Sequence, residues 1–193
     1  MAIQESNITL DGLTYTLDER DRVAAQLVNE NDNTFTGLNT LSGGHLNTVV
    51  LSGGGTTVLT AANSGATCVF DTAGASQFTL PAPQLGMKFT FISAITATAD
   101  HVIQAPTDGH GFIGGMSYTQ LTSTAADQCD SFSADADGSN DFITLNGSTT
   151  GGVAGGMITC VAILGTSAAK TWAVSGYQIA TGAMATPFAD SQI

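Results

Sequence analysis

The chain has 193 residues, a formal net charge of −12 and only 10% charged residues, whereas an average soluble domain has roughly 25%. Its 4 Lys and Arg residues cannot form the basic surface that nucleic-acid binding requires, so we expect no nucleic-acid partner. The sequence contains neither a secretory signal pattern nor an apolar run of about 18 residues, which predicts no membrane partner and synthesis in a cytoplasm.

The composition also predicts a thin hydrophobic core. Thr, Ala, Gly and Ser make up nearly half of the residues. Leu, Ile, Val and Phe make up about 23%, close to the roughly 20% below which chains tend to remain disordered. We therefore expect copies of the chain to complete their cores by associating with one another.

Residues 1–52 are predicted to form an N-terminal arm. Apolar and polar residues alternate loosely in its first part, as in an extended segment or an edge strand. Asp18 is placed to cap a short helix from Arg22 to Val28, and residues 29–39 have the composition of a loop. The alternating apolar positions are Ile8, Leu10, Leu13, Tyr15 and Leu17.

Two similar decapeptides follow one another in the chain. They begin at Leu41 and Leu51, and each combines an initial Leu-Ser-Gly-Gly with a later β-branched run. This pattern predicts a turn followed by a strand, twice. A repeat architecture would need at least about three copies, so the decapeptides do not predict one.

Residues 53–193 are predicted to form an all-β domain, an antiparallel sandwich or jelly roll built from short strands. Alternation at Met87, Phe89 and Phe91 predicts a strand with one buried face. The segment from Met157 to Leu164 is apolar at both sets of alternating positions and predicts a central strand buried on both faces. The predicted strands are 56–60, 67–71, 76–80, 87–95, 100–105, 117–123, 129–133, 141–145, 156–164, 170–175 and 177–181.

One glycine motif matches a cofactor-binding pattern. Gly109-His110-Gly111-Phe112-Ile113-Gly114 fits G-x-G-x-x-G, and Asp130 follows at the spacing of a ribose-binding acid. A dinucleotide site needs a helix directly after the glycines, whereas residues 116–122 have strand character. We therefore interpret the motif as a tight glycine loop and expect no cofactor.

The segment from Asp127 to Asp141 is acidic and places oxygen-bearing side chains at alternate positions, as calcium loops do. Asn140 and Asn146 occupy the positions where an EF-hand loop has its turn glycine and its bidentate Glu. A solvated acidic loop is the favoured interpretation, with a looser calcium site as the alternative.

Residues that could carry catalysis are not grouped in the sequence. The histidines, His45, His101 and His110, have no metal-ligand spacing and are predicted to be isolated surface or loop residues. The β region contains no Glu, although paired carboxylates in glycoside hydrolysis usually include one, and no G-x-S-x-G elbow is present. We expect a protein that is not an enzyme.

The three cysteines and the single tryptophan are predicted to have structural roles. Cys68, Cys129 and Cys160 are odd in number and widely spaced, which favours free thiols over disulfides or a metal knuckle. Cys68 and Cys160 lie in apolar runs and are expected to be buried. Trp172 is predicted to anchor the core between two sheets, with an exposed binding role as the alternative.

Two groups of segments follow the pattern of a known family. The first group is Val58-Leu59-Thr60-Ala61-Ala62-Asn63-Ser64-Gly65, Phe78-Thr79-Leu80-Pro81-Ala82-Pro83 and Gly86-Met87-Lys88-Phe89-Thr90-Phe91-Ile92. The second group is Asp141-Phe142-Ile143-Thr144-Leu145, Gly155-Gly156-Met157-Ile158 and Trp172-Ala173-Val174-Ser175-Gly176. Together they resemble the small β-rich virion proteins of tailed bacteriophages, over about residues 58–176.

In that family such domains are head decoration (cement) proteins, typically trimers on the capsid, and similar modules occur in tail fibres. The resemblance therefore implies a homotrimer that binds the major capsid protein, stabilises the capsid and is located on the virion. The alternative is a tail- or head-fibre module that binds a host surface glycan. Neither function implies a cofactor or a metal.

The N-terminal arm is the predicted partner-binding region, because its few apolar residues cannot form a core alone. They would bind a strand edge of the capsid, and two arginines would pair with capsid carboxylates. The sequence leaves open whether the arm contacts the capsid or a sister subunit. The predicted contact residues are Ile8, Leu10, Leu13, Tyr15, Leu17, Arg20 and Arg22.

Overall fold

A computed structural model describes residues 6–10, 13–17, 48–107, 110–121, 129–136, 138–163 and 172–190. The chain divides into two units, Met1–His45 and Leu46–Ile193. The predicted helix at 22–28, the loop at 29–39 and the turn of the first decapeptide lie outside the described residues. Within the described ranges, no helix has the length and apolar character to cross a membrane.

The described part of the first unit is a β-hairpin. Strand β1 (Ser6–Leu10) pairs antiparallel with β2 (Leu13–Leu17). The register places Ile8 opposite Tyr15 and Leu10 opposite Leu13. The expectation of extended structure for this segment is therefore confirmed, with two paired strands where the sequence indicated one extended run.

The second unit is an all-β sandwich, which confirms the predicted fold class. Its strands are β3 (Val49–Leu51), β4 (Gly55–Val58), β5 (Thr67–Phe70), β6 (Ser76–Thr79), β7 (Lys88–Ser93), β8 (His101–Gln104), β9 (Phe112–Gln120), β10 (Cys129–Ser133), β11 (Phe142–Leu145), β12 (Met157–Ala162), β13 (Trp172–Ala180) and β14 (Phe188–Ala189). A short 3₁₀ helix, Ala61–Asn63, lies between β4 and β5. The second unit includes β3, which precedes the predicted domain boundary at residue 53.

The strands form two sheets that pack face to face. The seven-stranded sheet has the order β10-β9-β13-β12-β7-β5-β3, and the five-stranded sheet has the order β14-β11-β8-β6-β4. Both sheets are mixed, because β9–β13 and all pairs among β3 to β8 are parallel. The expected antiparallel pairing is therefore wrong for these strands, although it holds for β7–β12, β12–β13 and β9–β10.

The parallel pairs arise from the path of the chain between β3 and β8. Successive strands alternate between the two sheets, so that the neighbours within a sheet are one full coil apart in sequence. Val49 lies opposite Thr67 and Thr67 lies opposite Thr90, while Ser76 lies opposite His101 in the other sheet. Strands reached after a full coil run in the same direction, which makes their pairing parallel.

Strand lengths differ from expectation at the C-terminal end of the sandwich. The predicted strands 170–175 and 177–181 form one strand, β13, with Gly176 inside it. Gly176 lies opposite Ile158, and a Cβ atom at this glycine would overlap the Met157 carbonyl oxygen. Gly176 therefore allows two strands to approach closely, and the turn that the sequence predicted between residues 175 and 177 is absent.

Aromatic side chains fill the space between the sheets. Phe70 and Phe91 from the seven-stranded sheet pack against Phe78 from the five-stranded sheet, with ring centroids 5.0 and 5.6 Å apart. Trp172 is fully buried, 5.9 Å from the ring of Phe89. The predicted role of Trp172 as a core anchor is confirmed, and burial of such aromatic rings is a large stabilising contribution.

His101 is also part of this core, which corrects its prediction as a surface or loop residue. Its ring is fully buried and stacks on Phe70 with ring centroids 4.5 Å apart. Nε2 donates a hydrogen bond to the Thr72 carbonyl oxygen at 2.8 Å, and Nδ1 has no hydrogen-bond partner among the described residues. Burial lowers the pKa of His101, an effect opposed by the Thr72 hydrogen bond and by the nearby carboxylate of Asp100.

We predict that Gly147→Ala destabilises the sandwich and that Gly74→Ala does not. Gly147 has a φ of 76°, and a Cβ atom there would overlap the Ala97 carbonyl oxygen. Backbone strain of this kind costs about 1–3 kcal/mol. Gly74 has open space around its Cβ position. Urea unfolding of the two variants measures the difference, and equal stability of both would contradict the described loop geometry.

We also predict that His101 makes the fold less stable as the pH falls. Because the folded-state pKa lies below 6.5, the unfolded chain binds more protons between pH 6.5 and that lowered value. Stability is therefore unaffected by His101 above pH 6.5 and decreases below it. His101→Gln, which retains a donor for the Thr72 carbonyl, should lose this component of the pH dependence.

The measurement is urea unfolding of the wild type and His101→Gln at pH 7.5 and 5.5. Both proteins retain His45 and His110, so the difference between them isolates His101. The stability advantage of the wild type over the variant should be smaller at pH 5.5. An advantage that is unchanged between the two pH values would mean that His101 is not held neutral.

Candidate functional site

The described part of the glycine motif, residues 110–114, leads into a strand. Strand β9 begins at Phe112, and the expected strand character after the motif is confirmed. A Cβ atom at Gly111 would overlap the Gly138 carbonyl oxygen, and one at Gly114 would overlap that of Val174. The tight-loop interpretation is therefore wrong for Gly114, which lies inside β9 where two backbones approach closely.

In the described part of the acidic segment, the side-chain amide of Asn140 links Asp135 to Asp190. Nδ2 of Asn140 donates to Oδ1 of Asp190 at 2.8 Å, and Oδ1 of Asn140 accepts the backbone N–H of Asp135 at 2.7 Å. Asp127 and Asp137 lie outside the described residues. In the described part of the chain, no three His, Cys, Asp or Glu side chains form a group that could hold a metal ion.

The cysteines lie where the sequence predicted. Cys68 and Cys160 are buried free thiols, and Cys129 is exposed. Burial raises the pKa of Cys68 to about 12 and also raises that of Cys160. Both buried thiols are therefore protonated at neutral pH and behave as core residues, since the thiolate is the reactive form.

One polar contact fixes the corner between β3 and β4. Oδ1 of Asp71 accepts hydrogen bonds from the Gly53 N–H at 2.8 Å and from the Ser52 hydroxyl at 2.9 Å. These two donors lower the pKa of Asp71, with the Gly53 N–H as the larger cause. The Leu-Ser-Gly-Gly of the second decapeptide therefore forms a turn between two strands, as predicted for that copy.

The outer face of the seven-stranded sheet carries a row of apolar residues. Each member lies directly opposite the next on the neighbouring strand, so the row crosses five strands. The two end members, Leu51 and Tyr177, are 56% and 46% exposed, and Met157 beside Tyr177 is 37% exposed. We call this set the apolar row: Leu51, Val69, Ile92, Met157 and Tyr177.

The sequence pattern pointed to β12 as a strand buried on both faces, and the structure corrects this. Strand β12 is central in the sheet, between β7 and β13, but only its inward residues are fully buried. Ile158 and Cys160 face the core, whereas Met157 and Thr159 face outward and are exposed and half-buried. The apolar residues at the outward positions of β12 therefore lie on a surface that the rest of the single chain does not cover.

The same outer face is almost uncharged. Its outward positions on the seven strands contain Lys88 and no carboxylate, although the chain has 16 acidic residues. The row next to the apolar row consists of Thr67, Thr90, Thr159 and Ser175, preceded by Val49 on the edge strand. A sheet face with apolar and hydroxyl side chains and no carboxylate is suited to contact with another protein.

The hairpin provides a second candidate surface. In an antiparallel pair, directly opposed positions share a face, and so do positions two apart along a strand. The register in which Ile8 is opposite Tyr15 therefore places all five predicted apolar positions on one face of the hairpin. Asn7, Thr9, Thr14 and Thr16 take the other face. Arg20 and Arg22 lie outside the described residues.

The apolar positions of the hairpin can be recognised in the sequence, whereas the apolar row cannot. The hairpin positions lie close together in the chain, and their alternation is visible directly. The members of the apolar row come from five strands separated by up to about two thirds of the chain, and each has the sequence character of an ordinary strand residue. The strand register, which the sequence does not show, brings them together.

Comparison with known proteins gives no further assignment. No protein-family model and no curated protein matches the chain.

Proposed function

We propose that this protein decorates and stabilises a bacteriophage capsid as a homotrimer bound to the major capsid protein. The proposal combines the resemblance of residues 58–176 to phage decoration proteins with one structural observation. That observation is the amphipathic hairpin β1–β2, whose apolar positions all fall on one face. The hairpin is the contact to the capsid in this proposal.

The hairpin offers an apolar face and a strand edge to a partner. In the described residues, β1 and β2 pair only with each other. Burial of the apolar face against the capsid supplies binding free energy in this proposal. Each strand also has an outer edge at which a partner strand can add through main-chain hydrogen bonds.

The sandwich supports a mechanical role. Its two sheets enclose a close-packed aromatic core, and such a core resists deformation. The domain can therefore add a stiff contact surface to a particle. On a capsid, a trimer of such units spans the junctions between capsomers and resists internal pressure from packaged DNA. This function requires binding energy alone, with no transition state to stabilise. Synthesis in the host cytoplasm and location on the virion surface follow from the same proposal.

We predict that acidic substitutions on the apolar face of the hairpin abolish binding to capsids. In Ile8→Asp with Tyr15→Asp, two opposed apolar positions become charged, and buried unpaired charge is strongly unfavourable. Thr9→Asp with Thr14→Asp is the matched control, because these two positions are also opposed and lie on the other face. Cosedimentation with undecorated heads should show binding weakened by about tenfold or more for the first pair only.

Deletion of residues 1–40 provides an independent form of this test. The truncated protein should remain a trimer and lose binding to heads. Undiminished binding of the deletion variant, or equal losses in the two double variants, would contradict the assignment of the hairpin. Loss of the trimer on deletion would show that the arm joins subunits and does not anchor them to the capsid.

Glycan binding by a fibre module is the second candidate function, favoured by one observation on the seven-stranded sheet. Tyr177 is exposed and lies opposite Ser117 in the register. Ser117 belongs to a shallow depression that also contains Gly115, Ser131 and Ser133. An exposed aromatic ring beside hydroxyl groups is a surface on which a sugar ring can stack. Binding to host cells or isolated surface glycan, and none to heads, would favour this function.

A further inference from the structure

We infer that the outer face of the seven-stranded sheet, centred on the apolar row, is the surface through which copies of this chain associate. The inference rests on the proposed homotrimer, which does not itself specify a subunit interface. The partner at this surface is a second copy of the chain. In every copy, the outer face of the seven-stranded sheet points towards the shared symmetry axis.

Exposure of the apolar row is the first argument. Leu51, Met157 and Tyr177 are exposed large apolar residues, and they lie in line in a row that crosses five strands. Adjacent strands are about 4.8 Å apart, so the row extends about 19 Å over the sheet. Contiguous exposed apolar surface on a protein of this size marks an interaction site, and Tyr and Met are enriched at interfaces.

The outer face of the other sheet has no continuous apolar row. Its register places Val58 opposite Thr79, Thr79 opposite Gln104 and Gln104 opposite Phe142, so polar residues separate the two apolar ones. On the same face, Nε2 of Gln77 donates a hydrogen bond of 2.6 Å to Oε1 of Gln104. In the described strands, a continuous row of apolar residues therefore crosses the outer face of the seven-stranded sheet and not that of the five-stranded sheet.

The charge distribution favours a second copy of the chain as the partner of this face. Two copies with a net charge of −12 each repel, and the repulsion is least where neither copy presents carboxylates. The outward positions of the seven-stranded sheet meet this condition in the described part of the chain. A basic partner would find no carboxylate on this face to pair with, so the charge pattern does not favour it.

Three-fold symmetry divides the face of each copy between two neighbours. Seven strands span about 29 Å, and five to six residues of strand extend about 17 Å, which gives roughly 500 Å² per copy. A trimer therefore buries roughly 1,500 Å² in total over three contacts that form together, comparable with the area of one standard protein interface. The row beside the apolar row consists of Thr67, Thr90, Thr159 and Ser175, whose small hydroxyl side chains allow another sheet to approach closely.

The test is the oligomeric state of two matched double variants. Leu51→Asp with Tyr177→Asp changes the two ends of the apolar row, four strand spacings apart, so the new charges do not face each other. Val58→Asp with Leu85→Asp changes two exposed apolar residues outside the face and adds the same charge. Light scattering and sedimentation of both, together with circular dichroism to verify folding, give the result.

We expect the row variant to be a folded monomer, with the subunit dissociation constant raised by about thirtyfold or more, and the control to remain a trimer. A row variant that stays trimeric overturns the inference, and so does a wild type that is a stable monomer at micromolar concentration. Equal dissociation of both variants also overturns it, because added charge alone would then be the cause.

A measurement on the wild type covers the case in which the row variant does not fold. Met157 is exposed in the single chain, so hydrogen peroxide should oxidise it readily unless another copy covers it. Mass spectrometry should show slow oxidation of Met157 at high protein concentration and faster oxidation on dilution. Oxidation that does not depend on protein concentration overturns the inference.

The capsid assay separates this inference from the proposed function. If wild-type trimers do not bind heads but the row variant is monomeric, the interface stands and capsid decoration fails. If wild-type trimers bind heads and the row variant remains a trimer, capsid decoration stands and this interface fails.

Discussion

The structure depends on the aromatic side chains that pack between two sheets. Phe70 and Phe91 from one sheet contact Phe78 from the other, and Trp172 packs against Phe89. Buried aliphatic and further aromatic residues complete this core in a chain of which nearly half is Thr, Ala, Gly and Ser. On the seven-stranded sheet the outward positions remain partly or fully exposed, so the distribution of apolar residues on that face carries the functional information.

Much of the fold could be predicted because each strand has a local signature. Alternation at Met87, Phe89 and Phe91 correctly indicated one buried face, and Trp172 was correctly placed in the core. Strand direction was not predicted correctly, because alternation shows which face is buried and contains no information about which strand lies alongside. The parallel pairs follow from the coiled path of the chain, which short-range patterns do not reveal.

The candidate surfaces differ in the same way. The hairpin face could be read from the sequence, because Ile8, Leu10 and Leu13 lie within a few residues of one another. The apolar row could not, because Leu51 and Tyr177 are brought into line only by the pairing of five strands. His101 was misplaced for a related reason, since a lone histidine gives no sign of the Phe70 ring that covers it.

The coiled path of β3 to β8 also has a consequence for how the protein folds. Each parallel pair in the coil joins segments about 20 residues apart, whereas the parallel pair β9–β13 joins Phe112 to Trp172, about 60 residues later. Closing the longer loop loses more chain entropy before any contact is gained, and contacts distant in sequence slow folding. By the same criterion, the coil and the antiparallel pairs β12–β13 and β9–β10, whose nearest partners are about 10 residues apart, form early. The pairs β7–β12 and β9–β13, whose partners are about 60 residues or more apart, are the late contacts that complete the seven-stranded sheet.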